Sequence, residues 1–284
     1  MGKMSLLLGS HVSIAGGFEK ALERGAEINC NAIQIFTKSN RQWASKPIHL
    51  EEAVLFKKCQ QASAVTCIVA HASYLINIGS PDHHICQKSI AALLDELERC
   101  EILGIPFLVF HPGSHTSGSK EECLSRIAQS INTILEQYKG KTLLILETSA
   151  GQGSSVGNTL EELALIKSLV IQPEKIGFCV DTCHIFAAGY DIRDKKSYNL
   201  FWENFDKVLK IENLKVIHLN DSKKELKSNV DRHENIGEGA LGIDAFRFIM
   251  NDKRLFSVPK ILETPKASHS DDIKNLEILR KLID

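Results

Sequence analysis

Eight short apolar runs are spread along the 284 residues of this chain: LLLG (6–9), AIQIF (32–36), CIVA (67–70), FLVF (107–110), LLIL (143–146), IGFCV (176–180), KVIHL (215–219) and KIL (260–262). Runs of only three to five residues are too short for buried helices and read as strands covered on both faces. The segments between them have helical spacing instead. Ile90, Leu93, Leu94, Leu97 and Cys100 share one face, as do Leu124, Ile127, Ile131, Ile134 and Leu135, the pattern of helices that bury a single stripe. Ser119 with Glu122 and Thr159 with Glu162 have capping-box spacing, and Gly104 and Gly140 follow helical runs where a stop is expected. Strand and helix alternate throughout without a linker rich in Gly, Ser or Pro, which predicts one closed (β/α)8 TIM barrel over residues 1–284. An open doubly wound sheet is the alternative.

Composition narrows the function classes. With 34 Lys+Arg against 35 Asp+Glu, a formal net charge of -1 argues against broad nonspecific coating of nucleic acid and leaves room for a local basic edge. Eight cysteines without a C-x-x-C pair read as buried thiols in a reducing compartment. The N-terminal MGKMSLLLGSHVS has three consecutive apolar residues, and Leu6 stands where a myristoylation motif needs Ser or Thr. The expectation is a cytoplasmic protein with no membrane contact.

The chemistry falls at the strand ends. One side chain able to ligate a metal closes or follows six of the runs: His71, His111, Glu147, Asp181, His218 and Glu263. Successive members are 40, 36, 34, 37 and 45 residues apart, the length of one β/α unit, so barrel closure would gather them on one face. Asp181 and His184 turn out of the sixth run, and Asp231 and His233 lie in the loop after the seventh. Singly, each could simply bond a loop amide. Together, nine imidazole and carboxylate donors without thiolate match three zinc ions if one carboxylate bridges, with manganese an alternative for part of the cluster.

Longer motifs carry a resemblance over essentially the whole chain: GSHVSIAGG (9–17), IFTKSNRQW (35–43), FHPGSH (110–115), ETSAGQGSSVG (147–157), CVDTCHIFAAGYD (179–191), HLNDSK (218–223), VDRHENIGEG (230–239) and ILETP (261–265). The sequence resembles the endonuclease IV family of apurinic/apyrimidinic DNA repair nucleases. The resemblance implies a zinc-dependent barrel in which His71, His111 and Glu147 hold one ion. Glu147 would bridge to a second held by Asp181, His218 and Glu263, and His184, Asp231 and His233 would hold a third. All nine positions carry the expected residue type. Ala72, where some members carry Asp, and Lys227, where Gly is frequent, depart from the pattern.

The resemblance further implies hydrolysis of the phosphodiester 5′ to an abasic site, leaving a 3′-hydroxyl and a 5′-deoxyribose phosphate, and removal of 3′-blocking groups. A hydroxide held between two ions would attack phosphorus, with the third ion stabilising the leaving oxygen. Glu147, Asp181 and His111 take part as ligands, and Glu263 has an added role in orienting the nucleophile. Arg41, Tyr74 and Leu75 match positions that enter the duplex and fill the gap left by the missing base. Lys38, Lys223, Arg232 and Lys266 follow strands and would share that face as phosphate contacts. His11 and His115 are expected to orient ligands or substrate from behind. Cys179 and Cys183 are assigned to packing, with Cys179 turned away from the site, and His49, His83, His84 and His269 to the surface. The glycine-rich 151–157 segment misses the dinucleotide fingerprint and is assigned to a turn that shapes the site. The partner is double-stranded DNA with abasic sites or 3′-blocked ends, bound by a monomer with no obligate protein partner. Two rivals remain: a metal-dependent sugar isomerase on a related barrel, which needs no third ion site, and a noncatalytic binder of abasic sites, which needs no complete ligand set.

Overall fold

Every apolar run forms a strand of one parallel sheet in the computed structural model, which describes residues 6–284. The leader and lipid readings of the extreme N-terminus fall partly on residues 1–5, outside the described residues. The first seven barrel strands are β1 (Leu8–His11), β2 (Ala32–Phe36), β3 (Cys67–His71), β4 (Phe107–Phe110), β5 (Leu143–Glu147), β6 (Ile176–Asp181) and β7 (Leu214–Leu219). A hairpin of β8 (Asp221–Ser222) and β9 (His233–Glu234) follows, and β10 (Lys260–Leu262) is the eighth barrel strand. The sheet closes in the order β1-β10-β7-β6-β5-β4-β3-β2, with Ser10 paired to Leu262 on one side and Ile33 on the other. This is a (β/α)8 TIM barrel, and the doubly wound alternative is excluded by closure.

Helices α1 (Phe18–Glu27), α2 (Leu50–Ala62), α3 (His83–Leu103), α4 (Lys120–Gln137), α5 (Leu160–Ser168), α6 (Thr182–Ala188), α7 (Lys195–Leu209), α8 (Ile243–Met250) and α9 (His269–Lys281) fill the intervals. Ser119 and Thr159 accept from the backbone N–H groups of Glu122 and Glu162, as their spacing predicts. Gly104 ends α3 at φ 77°, a left-handed stop that a side chain would resist. Gly140 does not end its helix. The chain leaves α4 at Tyr138 in extended conformation, and a Cβ at Gly140 would strike the Tyr138 hydroxyl and the Glu101 carboxylate. Lys227 sits at φ 64°, which explains why glycine suits that position.

The barrel interior is an apolar layer contributed by seven strands: Ala32, Val69, Val109, Ile145, Cys179, Val216 and Ile261. A second, larger core lies between sheet and helices. Among the described residues no helix is long and apolar enough to cross a membrane.

Candidate metal centre and nucleic-acid face

Side chains on a strand return to the same face every second residue, so the residues two beyond the interior layer also point inward, at the C-terminal mouth. They are Gln34, His71, His111, Glu147, Asp181, His218 and Glu263, and His11 at the end of β1 completes a ring with one polar side chain in, or one residue past, each barrel strand. The ring is an arithmetic consequence of inward-facing apolar residues ending at a common level.

Among the described residues five groups of donor atoms form, each drawn together within 4.8 Å; two include a cysteine (Glu147, Cys179 and His218; Asp181, Cys183 and His233), and three use imidazole and carboxylate alone: His71, His111 and Glu147; Glu147, Asp181, His218 and Glu263; and His184, Asp231 and His233. Glu147 belongs to two of these three. Its Oε2 lies 3.1 Å from His71 Nε2 and 3.7 Å from His111 Nε2, and its Oε1 lies 3.0 Å from His218 Nδ1. His218 Nδ1 is also 3.3 Å from Glu263 Oε2 and 3.9 Å from Asp181 Oδ2. The third group is joined to the others by His184 Nδ1, 3.4 Å from Glu147 Oε1, and His233 Nε2, 3.7 Å from Asp181 Oδ2. In it, His184 Nε2 and His233 Nε2 each stand 3.2 Å from an Asp231 oxygen, yet both nitrogens are buried without a hydrogen-bond partner. Buried nitrogens left unpaired around one carboxylate are what a divalent cation would satisfy, and the donor set suits zinc. The residues therefore fit the metal.

Burial opposes charge on Glu147, but His111, His218 and His184 outweigh it and hold the carboxyl well below its ordinary range. Burial likewise opposes protonation of His184, yet Asp181, Asp231 and Glu147 raise it well above the ordinary imidazole value, and His233 is raised to about 9 against its burial by Asp181 and Asp231.

The imidazoles are aimed by their far nitrogens. His71 Nδ1 faces the Ala72 carbonyl at 2.7 Å, His184 Nδ1 that of Thr148 at 2.8 Å, and His233 Nδ1 that of Glu263 at 3.0 Å. Such outer bonds fix ring orientation and tautomer. Asp181 ends β6 and caps α6, accepting from His184 N–H at 2.9 Å, which places the histidine one turn on. Its other oxygen accepts from Asn220 Nδ2 at 2.6 Å, and Asn220 Oδ1 accepts from Glu263 N–H at 2.9 Å. The β8–β9 hairpin pairs Ser222 with His233, and Asp221 fastens the loop beyond it by accepting from the N–H groups of Gly237, Gly239 and Leu241. Gln152, in the glycine-rich turn, accepts from Asp231 N–H at 3.0 Å. A cleft of about 200 Å³ opens beside the first and third groups, lined by His111, Gly113, Ser149, Ser155, His184 and Asp231 among others.

Gln34, Asn220 and Gln152 escape a search confined to ligand types. Gln34 had a signal, since it is the polar residue inside the run AIQIF. Asn220 stands two residues beyond His218, and nothing local distinguishes Gln152.

The substrate-face residues divide. Tyr74 and Leu75 are 57% and 36% exposed, and the Tyr74 ring lies 5.4 Å from that of His71 and 6.0 Å from that of His111. Arg41 is exposed on the loop after β2, joined to the Tyr74 loop by the Ser73 hydroxyl, which donates to the Asn40 carbonyl at 2.8 Å. Arg232 is exposed and donates to the Asp231 carbonyl at 2.6 Å; Lys223 is also exposed. Lys38 must be removed from the phosphate contacts. It is buried, with Nζ 2.6 Å from Asp95 and 3.9 Å from Glu96 on α3, and donates to the Trp43 carbonyl, so its charge is spent inside the protein. Lys266 stays exposed, with its Nζ 2.9 Å from Asp272.

His11 reaches the centre, 3.3 Å from Glu263 Oε1. His115 does not orient a ligand, because its Nδ1 bonds the Gly118 carbonyl at 2.9 Å within its own turn. Cys179 points inward, on the same face as Asp181 and one layer below, contrary to the expectation that it turns away. Burial pushes its thiol up to about 12, and that of Cys183 likewise, so both pack as neutral thiols. His49, His83, His84 and His269 are exposed.

Residues 22–282 match the family model described as xylose isomerase-like TIM barrel, the class that a closed barrel with acidic and imidazole donors at its mouth defines. Within it, the chain is 47% identical over 277 residues to "Probable endonuclease 4" of Chloroflexus aurantiacus, covering 97% of each chain. A protein of the same name from Geobacter sulfurreducens is 45% identical, covering 99% of this chain and 95% of its own. The crystal structure of endonuclease IV from Thermus thermophilus superposes with a TM-score of 0.86 at 34% identity, covering 97% of this chain and 98% of that one. A D-tagatose 3-epimerase-like protein, at 20% identity and a TM-score of 0.71, shares the fold alone. The chain belongs to the endonuclease IV family, and it is a nuclease of the hydrolase class.

Proposed function

We propose that this protein hydrolyses the phosphodiester 5′ to abasic sites in duplex DNA, leaving a 3′-hydroxyl and a 5′-deoxyribose phosphate, clears blocked 3′ ends, and works with three zinc ions. The observation that carries the reading is the convergence of three donor groups through Glu147, beside exposed side chains suited to enter a duplex. His71, His111 and Glu147 would hold one ion, Glu147, Asp181, His218 and Glu263 a second, and His184, Asp231 and His233 a third. When bound, the ions supply positive charge for the phosphodiester and activation of water.

The protein's own part is placement. Glu147 ties two groups together, and Asp181 anchors both the second group and the helix that carries His184. Glu263, reached by His11 and His218, orients the attacking water. Tyr74, Leu75 and Arg41 fill the gap where a base is missing, and extrusion costs least at that lesion because pairing and stacking are already lost. The cleft beside His111 and Asp231 gives the extruded sugar phosphate room next to the metal groups. Exposed Arg232, and Lys223 with only a loose 3.8 Å contact to Glu234, are the phosphate contacts. Eight unbridged cysteines suit a reducing, cytoplasmic setting, and in this reading the chain acts as a monomer without an obligate protein partner.

The test is cleavage of a duplex carrying one tetrahydrofuran abasic analogue, before and after chelation and zinc restoration. The expected result is chelator-sensitive cleavage on the 5′ side of the analogue, which cannot undergo β-elimination, recovered with zinc. Inactivity of a folded, metallated sample would refute cleavage at abasic sites as the activity of this nuclease.

A further inference from the structure

Gln34 is the one ring member with neither a charge nor a ligand group, and it is completely buried. A primary amide in such a place is unfavourable unless its polar atoms are paired. They are paired to the metal centre. Its Nε2 donates to Glu263 Oε1 at 2.6 Å and lies 3.0 Å from His11 Nδ1, while its Oε1 is 2.8 Å from His218 Nε2. The amide orientation is dictated by Glu263, since exchanging nitrogen and oxygen would set two acceptors against each other at the shortest of these distances. With Oε1 as acceptor, His218 Nε2 must carry a proton.

We infer that Gln34 is a positioning residue of the second metal group: from β2 it bridges Glu263 and His218, engaging one oxygen and one nitrogen from behind so that Glu263 Oε2 and His218 Nδ1 face Glu147 and Asp181. His71, His184 and His233 are aimed by main-chain carbonyls, which substitution cannot remove. His218 is aimed by a side chain, so its orientation depends on the residue at position 34. A single amide thereby sets two of the four donors of that group, across strands that meet only when the barrel closes.

This inference rests on the zinc reading above and is tested apart from DNA cleavage. Gln34→Met keeps length and bulk but removes both bonds; Gln34→Glu keeps an acceptor for His218 and sets a second carboxylate against Glu263. Zinc binding would be measured by competition with a chromogenic chelator on purified protein, and the His218 tautomer by long-range ¹H–¹⁵N correlation spectra of the zinc-loaded form. Loss of an outer hydrogen bond to a ligand lowers metal affinity roughly 10–100-fold. The expected result is a loss of that size at one of the bound ions in Gln34→Met, with mixed His218 tautomers. Gln34→Glu should weaken the same ion while His218 stays protonated at Nε2. A purely structural role would lower thermal stability but leave zinc affinity and the tautomer of the folded variants unchanged, and that outcome overturns the inference. Failure of the parent itself to bind zinc would overturn the zinc reading instead, and with it the role given to Gln34.

Discussion

Truncating Tyr74 measures the recognition surface directly. A buried aromatic side chain covers roughly 200 Å², and with 57% of Tyr74 exposed about 110 Å² is left to be covered by DNA. At about 25 cal/mol per Å² this amounts to about 3 kcal/mol, or about 100-fold in affinity, as an upper limit. The ordering cost is small because the ring already rests on Phe36, 5.6 Å away between centroids, as well as on the two histidines. Tyr74→Ala should therefore weaken binding to a tetrahydrofuran-containing duplex by up to about 100-fold. Leu75→Ala, at 36% exposure, should cost about 0.5–1 kcal/mol, that fraction of the roughly 1.5–3 kcal/mol for burying a whole leucine side chain. An undamaged duplex offers no gap, and wedging intact steps apart costs a few kcal/mol, so its binding should hardly change. The assay is fluorescence anisotropy on both duplexes with chelator-treated protein, alongside Tyr74→Phe, which keeps the ring, and zinc content after reloading, because the ring touches two ligand histidines. Equal losses on damaged and intact duplex, or a loss below threefold on the damaged one with metal loading intact, would refute the assignment.

Arg41→Ala should weaken binding to abasic duplex and leave zinc content untouched; equal affinity for variant and parent removes Arg41 from the recognition set. Glu263→Gln should keep the fold yet lower cleavage at least about 100-fold, the scale of a lost general base, and near-normal turnover would count against its orienting role. Glu96 on α3 is buried and accepts from Ser73 N–H at 3.1 Å and from the Thr37 hydroxyl at 2.9 Å, beside Lys38. Glu96→Ala should cost about 2–4 kcal/mol in urea unfolding, because Lys38 keeps Asp95 at 2.6 Å while the buried Ser73 N–H and Thr37 hydroxyl lose their acceptor, and a loss below about 1 kcal/mol would contradict the clasp. Lys260 is fully buried, and burial lowers its ammonium to about 8 from 10.5. Between those values the unfolded chain binds more protons than the folded one, so stability should rise with pH by about 1.4 kcal/mol per unit, about 3 kcal/mol in all. The difference in unfolding free energy between parent and Lys260→Met should grow by that amount from pH 8 to 10.5; a constant difference would show that the ammonium is not desolvated.

Local periodicity was enough to read the barrel. Strands, helices and their caps depend on residues within a turn or two of one another, and the ring of ligands follows because His71, Glu147, Asp181 and His218 each stand two residues beyond an inward apolar residue. The same rule, applied without restricting residue type, reaches Gln34 from Ala32 and places Cys179 inside the barrel. Lys38 was misplaced because its acidic partner on α3 lies 57 positions away, and sequence showed only a cation after a strand. His115 and Gly140 failed for a similar reason, as motif and spacing do not say which neighbour a side chain meets. The chain by itself determined a barrel with candidate metal ligands at its mouth. Tertiary structure decided which nitrogen of each imidazole faces inward and which cations stay free, because those choices depend on partners such as Gln34 and Glu263, 229 residues apart, brought together only by closure of the sheet.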